Sequence, residues 1–128
     1  LFTNRDEANT MLGITDADKR LKPKEAASAL RAAGASEVIV TMGAHGFAVA
    51  TESGVTTMRS VPARAVDITG AGDAMIAGTM YKVLSGDPVP HAARTGALLA
   101  TLTTESESSV HPDLSPRFLT AGMYRIPA

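Results

Sequence analysis

Apolar residues follow a helical spacing in some segments of this chain and a strand-like spacing in others. The first part of the chain is predicted to combine short helices with short strands. Asn4 followed by Glu7 is typical of a helix N-terminus, and glycines at 13 and 34 are typical of helix ends. Leu1 and Phe2, before the first cap, have the character of the last residues of a buried strand. We therefore predict one helix over Asn4–Leu12 and a second from Asp16 or Asp18 to Ala33, continuous from about Lys22.

The middle of the chain contains short runs rich in β-branched residues, separated by turn-forming residues. Such runs are long enough for buried strands, and the turns between them are short enough for hairpins. We predict strands over Glu37–Met42, Phe47–Thr51 and Val55–Val61.

From Ala71 onward the apolar residues recur at helical spacing. Ile76, Met80, Val83 and Leu84 are spaced i, i+4, i+7 and i+8, which predicts an amphipathic helix that ends at Gly86 and places Met75 and Met80 in the core. Two further helices are predicted, one capped by Asp87 and running to about Thr103, and one over Ser115–Gly122. The order of elements indicates an α/β fold with helices packed on a sheet.

The amino-acid composition of the chain argues against several classes of function. The 128 residues carry a net charge of −1, no cysteine and 4% aromatic residues. The balanced charge argues against a nucleic-acid partner, and the absence of cysteine excludes disulfides and thiolate chemistry. No apolar run is long enough to span a bilayer, so we expect no membrane partner and a cytoplasmic location.

The segment Asp67–Asp73 carries the clearest chemical signal. Gly70, Ala71 and Gly72 have almost no side chains, so their amides can approach an anion at the start of the following helix. Asp73 falls in the first turn, where the helix dipole favours a carboxylate that can act as a general base. These groups suit phosphoryl transfer to an alcohol. Taken locally, a simple turn and helix cap is an equally good interpretation.

The sequence does not match two other phosphate-binding motifs. A dinucleotide-binding fingerprint would need a third glycine where Met75 stands, and no Gly-Lys-Ser or Gly-Lys-Thr of a P-loop occurs.

Residues 67–73 resemble the D-T-T-G-A-G-D signature of the ribokinase/PfkB carbohydrate kinases, with Ile68 in place of a threonine. Other motifs of that family occur in the same order over essentially the whole chain: N-x-x-E at Asn4 and Glu7, a strand and turn at Thr41, Gly43 and Gly46, and a small-residue helix over Ala92–Ala100. The resemblance implies a ribokinase-like layered sheet with helices on its faces. Within it, residues 1–128 would form the C-terminal portion, which binds ATP and carries the catalytic base.

The resemblance also implies roles for individual residues. Asp73 would be the catalytic base, and Gly70, Ala71 and Gly72 would form the anion hole for the transferred phosphoryl group. Thr41, Gly43 and Gly46 would contact ATP together with Gly70 and Gly72.

The same resemblance implies two sites for metal ions. Asn4 and Glu7 would act on Mg²⁺ through water, although the same pair alone is better explained as a helix cap. Asp67 and Thr69 would begin a monovalent cation site, for K⁺.

The acceptor would be a hydroxyl of a sugar or a nucleoside. The tail over residues 102–115 resembles that of pseudouridine kinases, which favours the 5′-hydroxyl of pseudouridine. The family's acceptor-binding half is not found here, and the chain opens without Met, so we expect a processed product or a piece of a longer protein. The isolated chain is then expected to be inactive.

Several alternatives stay open. The chain could be a non-catalytic nucleotide-binding module or a fragment completed by the missing N-terminal half. The partner of the chain could also be a second copy of the same chain, in a homodimer. It could also be an unrelated α/β domain with a fortuitous glycine turn.

Overall fold

The computed structural model describes residues 1–128, which form two compact units, Leu1–Arg59 and Ser60–Ala128. The first unit contains a four-stranded sheet and two helices. In chain order these are β1 (Phe2–Asn4), α1 (Arg5–Met11), α2 (Pro23–Ala32), β2 (Val38–Thr41), β3 (Phe47–Thr51) and β4 (Gly54–Met58).

The sheet has the strand order β1-β2-β3-β4. β1 pairs parallel to β2, with Asn4 opposite Thr41, whereas β2, β3 and β4 pair antiparallel as successive hairpins. Both hairpins and the stub of a first strand were predicted, and they are confirmed. Small and β-branched side chains allow α1 and α2 to pack closely on the sheet, with a buried cluster of Ala8, Ala26, Ala27, Leu30, Val38, Val40, Ala48 and Ala50.

A buried asparagine, which the sequence pattern did not single out, holds the connection between α1 and α2. Asn9 is 1% exposed. Its Oδ1 accepts from the Leu21 amide at 2.8 Å, and its Nδ2 donates to the carbonyls of Leu21 and Arg5. Every polar atom of this side chain is therefore satisfied, as a buried amide requires.

The second unit contains three helices: α3 (Ala71–Leu84), α4 (Val89–Thr104) and α5 (Pro116–Gly122). α3 and α4 approach each other through glycines. A Cβ added at Gly78 would lie 2.9 Å from the Gly96 Cα, and one added at Gly96 would lie 2.5 Å from the Met75 carbonyl oxygen. Only glycine fits at this crossing, so the two helix backbones pack directly against each other.

This crossing overturns the predicted buried face of α3. The structure buries Met75, Gly78 and Thr79, whereas Met80 is 46% exposed and Leu84 is 82% exposed. Ile76 is also exposed. The placement of Met75 in the core is confirmed, and that of Met80 is wrong. The close approach to α4 selects the face with small residues and leaves the more apolar stripe outside.

The second helix is continuous from Pro23 with Lys22 as its N-cap, as predicted, and the residues before it contain a separate 3₁₀ turn at Ala17–Lys19. Two other predictions at helix and strand ends are wrong. β4 ends at Met58 rather than Val61. Asp87 does not cap α4, because Pro88 occupies the N-cap and the Asp87 carboxylate pairs with Lys82 at 3.1 Å. The last helix matches its prediction, with the Ser115 hydroxyl oxygen accepting from the Phe118 amide. No helix is both long and apolar enough to cross a membrane.

Candidate functional site

The glycine loop of the second unit, which comprises residues 67–72, adopts a conformation that depends on glycine. Gly70 is the N-cap of α3 and has φ 80° and ψ −1°, in the left-handed region. A Cβ on Gly70 would lie 3.3 Å from the Ser109 Cβ and 3.4 Å from the Ser109 carbonyl oxygen. The loop at Ser109 therefore lies directly against Gly70. Both the backbone angle and the close contact favour glycine at this position.

The amides that follow Gly70 differ in their hydrogen bonding. The Ala71 amide donates to the Ile68 carbonyl at 3.2 Å, and the Ala74 amide donates to the Gly70 carbonyl at 2.9 Å. The Gly72 and Asp73 amides belong to the first turn of α3, whose N–H groups have no acceptor within the helix. These two amides are the donors best placed for an external anion, and the helix dipole adds to their attraction.

Asp73 is exposed in the first turn of α3, beside these amides. The turn thus places a carboxylate and unpaired backbone donors on the same helix end. The position of Asp73 in the first turn agrees with the sequence analysis, whereas the free amides are those of Gly72 and Asp73 and not that of Ala71. A carboxylate beside such donors suits proton abstraction next to a bound anion, and the catalytic roles of these residues stay predictions.

Asp67 forms a local turn at the start of the loop. Its Oδ1 accepts from the Thr69 amide at 2.8 Å. This bond and the Thr69 hydroxyl lower the pKa of the fully exposed Asp67 carboxyl. Asp67 is therefore an anion throughout the neutral pH range, which is compatible with a cation nearby.

In the first unit, the predicted site residues gather where the parallel strands β1 and β2 end. Asn4 and Thr41 are direct partners in the strand register. Asn4 also caps α1: its Oδ1 accepts from the Glu7 amide at 2.9 Å, and Glu7 Oε2 accepts from the Asn4 amide at 3.0 Å. The carboxyl ends of parallel strands are the usual ligand-binding edge of α/β sheets.

The structure confirms the helix-cap interpretation of this pair, and its role toward Mg²⁺ stays a prediction. Asn4 and Glu7 form the complete capping box, and both side chains remain exposed. No group of three or more His, Cys, Asp or Glu side chains lies together in a metal-binding arrangement. Mg²⁺ is usually held by one or two carboxylates together with waters and substrate phosphates, so an exposed Glu7 acting through water fits that ion.

The turn between β2 and β3 continues from the same edge. Gly43 has φ 52° and Gly46 has φ 97°. The Gly46 carbonyl accepts from the Met42 amide at 2.9 Å, and a Cβ on Gly46 would overlap the Met58 carbonyl oxygen and lie 3.2 Å from the Arg59 Cα. Gly46 thus allows the turn to pack against the end of β4, while the backbone at Gly43 stays exposed.

The structure places the predicted site residues in two groups, and each group lies within one unit. Asn4, Glu7, Thr41, Gly43 and Gly46 share one strand edge and its turn. Asp67, Thr69 and Gly70–Asp73 share one loop and helix start. The small-residue segment Ala92–Ala100 lies in α4, where most of its residues are buried.

Ser109, which contacts Gly70, and Glu105, whose carboxylate accepts from the Arg64 amide, had no role predicted from the sequence. These residues are distant from residues 67–73 along the chain, and no local spacing indicates the contacts.

A family model described as pfkB family carbohydrate kinase matches residues 1–115. The chain belongs to this family. Its fold is the ribokinase-like α/β fold, as predicted: the chain superimposes on ribokinase from Thermotoga maritima with a TM-score of 0.83 over 97% of its length, at 20% sequence identity. Ribokinase from Arabidopsis thaliana, in a structure with ribose and ATP, gives a TM-score of 0.77 over 96% of this chain at 22% identity.

Among curated proteins, the 1-phosphofructokinase of Escherichia coli (strain K12) is 34% identical over 86 residues, which is 67% of this chain. The chain spans only part of these relatives. The match covers 27% of the Escherichia coli enzyme, and the superpositions cover 41% of the Thermotoga maritima chain and 40% of the Arabidopsis thaliana chain.

Proposed function

We propose that this chain is the nucleotide-binding and catalytic-base portion of a kinase that transfers the γ-phosphoryl group of ATP to a hydroxyl of a sugar or nucleoside. The observation that carries the proposal is the start of α3. There, left-handed Gly70 leads into two first-turn amides beside the exposed Asp73. Membership of the pfkB family supports the same assignment.

In the proposed reaction, the Asp73 carboxylate accepts the proton of the acceptor hydroxyl. The hydroxyl oxygen forms a bond to the γ-phosphorus while the bond to the β–γ bridging oxygen breaks, and ADP leaves. Backbone donors of Gly70, Ala71 and Gly72 are assigned to the anion hole for the phosphoryl oxygens. The amide of Gly72 is better placed than that of Ala71, which already donates to Ile68. The neighbouring Asp73 amide extends this set.

The first unit is assigned to the nucleotide. Thr41, Gly43 and Gly46 would line it, because they occupy the carboxyl end of β2 and the turn beyond. Mg²⁺, when bound, would neutralise phosphate charge, and Asn4 and Glu7 would hold it through water. The ionised Asp67, with Thr69, is assigned to a monovalent cation such as K⁺.

We assign residues 1–128 to the C-terminal part of the kinase, with acceptor binding supplied by an N-terminal half or a partner chain. The limited share of the relatives that the chain spans supports this, as does the exposed apolar stripe on α3, since such surface is usually covered. For the acceptor we favour pseudouridine at its 5′-hydroxyl, on the resemblance of residues 102–115.

The test is Asp73→Asn in the protein that carries this chain together with its acceptor-binding part. Removal of a general base should lower kcat by about 10²–10⁴-fold, while the Kd for ATP changes little, because the substitution keeps the size of the side chain. The acceptor is identified by measuring phosphate transfer to each member of a panel: pseudouridine, uridine, ribose and the fructose phosphates. Asp18→Asn, an identical change at an exposed residue outside the site, is the control.

Unchanged turnover in Asp73→Asn would refute the assignment of the base. The alternative is a nucleotide-binding module without activity, and the limited coverage of the relatives is compatible with it as well. It predicts ATP binding without transfer to any acceptor, and calorimetric titration with ATP combined with the acceptor panel separates the two functions.

A further inference from the structure

A bidentate ion pair joins the end of α4 to the C-terminal segment of the second unit. Arg125 donates from Nη1 to Glu105 Oε2 at 2.9 Å and from Nη2 to Glu105 Oε1 at 2.6 Å. The two side chains are only 24% and 23% exposed. Their mutual bonding lowers the pKa of Glu105 and raises that of Arg125. A fork of this kind is more rigid and more specific than a single-bonded surface pair.

The same pair also binds the backbone that precedes the glycine loop. Arg125 Nη2 donates to the Pro62 carbonyl at 2.9 Å, and Glu105 Oε1 accepts from the Arg64 amide at 3.1 Å. Residues 59–70 form no helix or strand, so these bonds substitute for a regular backbone ladder.

Further bonds continue this attachment toward the loop. The amides of Val66 and Asp67 both donate to the Thr104 carbonyl, at 2.7 and 3.1 Å, and the Thr101 hydroxyl donates to the Val61 carbonyl at 3.1 Å. The last attached residue, Asp67, is three positions before Gly70. The path from the ion pair to the amides of the loop is therefore short, and it consists of these hydrogen bonds and a few covalently linked residues.

We propose that Glu105 and Arg125 are positioning residues, whose ion pair holds residues 62–67 on the end of α4 and thereby sets the position of Gly70–Asp73 for phosphoryl transfer. The catalytic part of this inference rests on the proposed kinase function; the structural part does not. Neither side chain is a catalytic residue, because both act through the backbone of residues 62–67.

A second ion pair in the same unit provides a matched comparison. Lys82 and Asp87 are 3.1 Å apart and each 31% exposed, but they join the last turn of α3 to the connection that follows it. The C-terminal segment also has an attachment independent of Arg125, from the Arg94 guanidinium to the Pro127 carbonyl. Loss of Arg125 is therefore expected to release residues 62–67 more than the end of the chain.

The experiment compares Arg125→Met, Arg125→Lys and Glu105→Gln with Lys82→Met, in the protein that carries the acceptor-binding part. Hydrogen exchange is measured at the amides of Val66 and Asp67 and over residues 68–73, with kcat and the Kd for ATP measured alongside. Arg125→Met should speed exchange at these amides about tenfold and lower kcat about tenfold, with the Kd for ATP within about threefold of wild type. Arg125→Lys, which keeps the charge without the fork, and Glu105→Gln, which keeps an acceptor for Arg64, should lie in between.

Unchanged exchange at Val66 and Asp67 in Arg125→Met would overturn the proposal, as would an equal rise throughout the second unit. Equal effects in Lys82→Met would also overturn it, because they would indicate a loss of stability common to both pairs. Faster exchange with normal kcat would refute the positioning role in catalysis. If the wild type transfers no phosphate to any acceptor, the proposed function fails and the catalytic role falls with it, whereas the exchange data still decide whether the ion pair holds residues 62–67. If Arg125→Met does not fold, Arg125→Lys decides by the same criteria.

Discussion

Gly96→Ala should weaken the second unit, because the crossing of α3 and α4 has no room for a methyl group. The added Cβ would lie 2.5 Å from the Met75 carbonyl oxygen, 3.1 Å from the Thr79 amide nitrogen and closer still to the Thr79 hydroxyl. That hydroxyl donates to the Met75 carbonyl at 2.7 Å, so it cannot rotate away without losing this bond and leaving a buried hydroxyl donor unpaired. The two helix backbones would have to separate.

The size of the effect follows from two opposing contributions. Overpacking of a buried contact costs about 1–3 kcal/mol, and here the obstacle is backbone, which places the cost at the upper end. Alanine gains about 1 kcal/mol over glycine in helix propensity. We therefore expect the free energy of unfolding to fall by about 2 kcal/mol. Since α3 begins at Ala71, its displacement should also reduce the proposed phosphoryl transfer.

Urea denaturation followed by circular dichroism measures the change, and Gly122→Ala is the control. A Cβ at Gly122 would meet the side chain of Leu98 at 3.4–3.5 Å, an ordinary contact, so that variant should be as stable as wild type or slightly more so. Thr79→Ala combined with Gly96→Ala should recover only part of the loss, because the overlap with Met75 remains. Wild-type stability in Gly96→Ala would refute the close helix crossing.

Two further predictions concern a turn and an ion pair. Gly46→Ala should cost at least about 3 kcal/mol, because φ 97° is strained for alanine and the Cβ overlaps the Met58 carbonyl. Gly43→Ala, with nothing within 4 Å of its Cβ, should cost only about 1 kcal/mol in the same denaturation assay, and equal losses would contradict the geometry. The pKa of Glu105 is lowered by Arg125, so its stabilising contribution is complete above the ordinary value of 4.5 and is lost as the pH falls through the lower folded-state pKa. Thermal unfolding from pH 6 to pH 2 should therefore show a steeper loss in wild type than in Glu105→Gln, and parallel curves would show that the pair contributes no pH-dependent stability.

Local sequence was sufficient wherever neighbouring residues carry the interaction. The capping box of Asn4 and Glu7 forms within four residues, and the Ser115 cap and the strand Phe47–Thr51 have the predicted bounds. The loop that ends at Asp73 was also visible, because its glycines and the helix that follows are contiguous. The membership of the chain in the pfkB family was predicted from the order of these local motifs and is confirmed.

Contacts between distant residues were decided only in the tertiary structure. Periodicity placed Met80 in the core, but hydrophobic spacing describes one helix and not the partner that it meets. The partner here is Gly96, which draws the small residues Gly78 and Thr79 of α3 inward and leaves Met80 exposed. Likewise, Glu105 and Arg125 lie 20 residues apart and meet only because α4 and the C-terminal segment fold together. The sequence by itself determined the caps, the turns and the candidate groups for the proposed chemistry, because these depend on neighbouring residues. The packing of helices on backbone atoms determined how those groups are held.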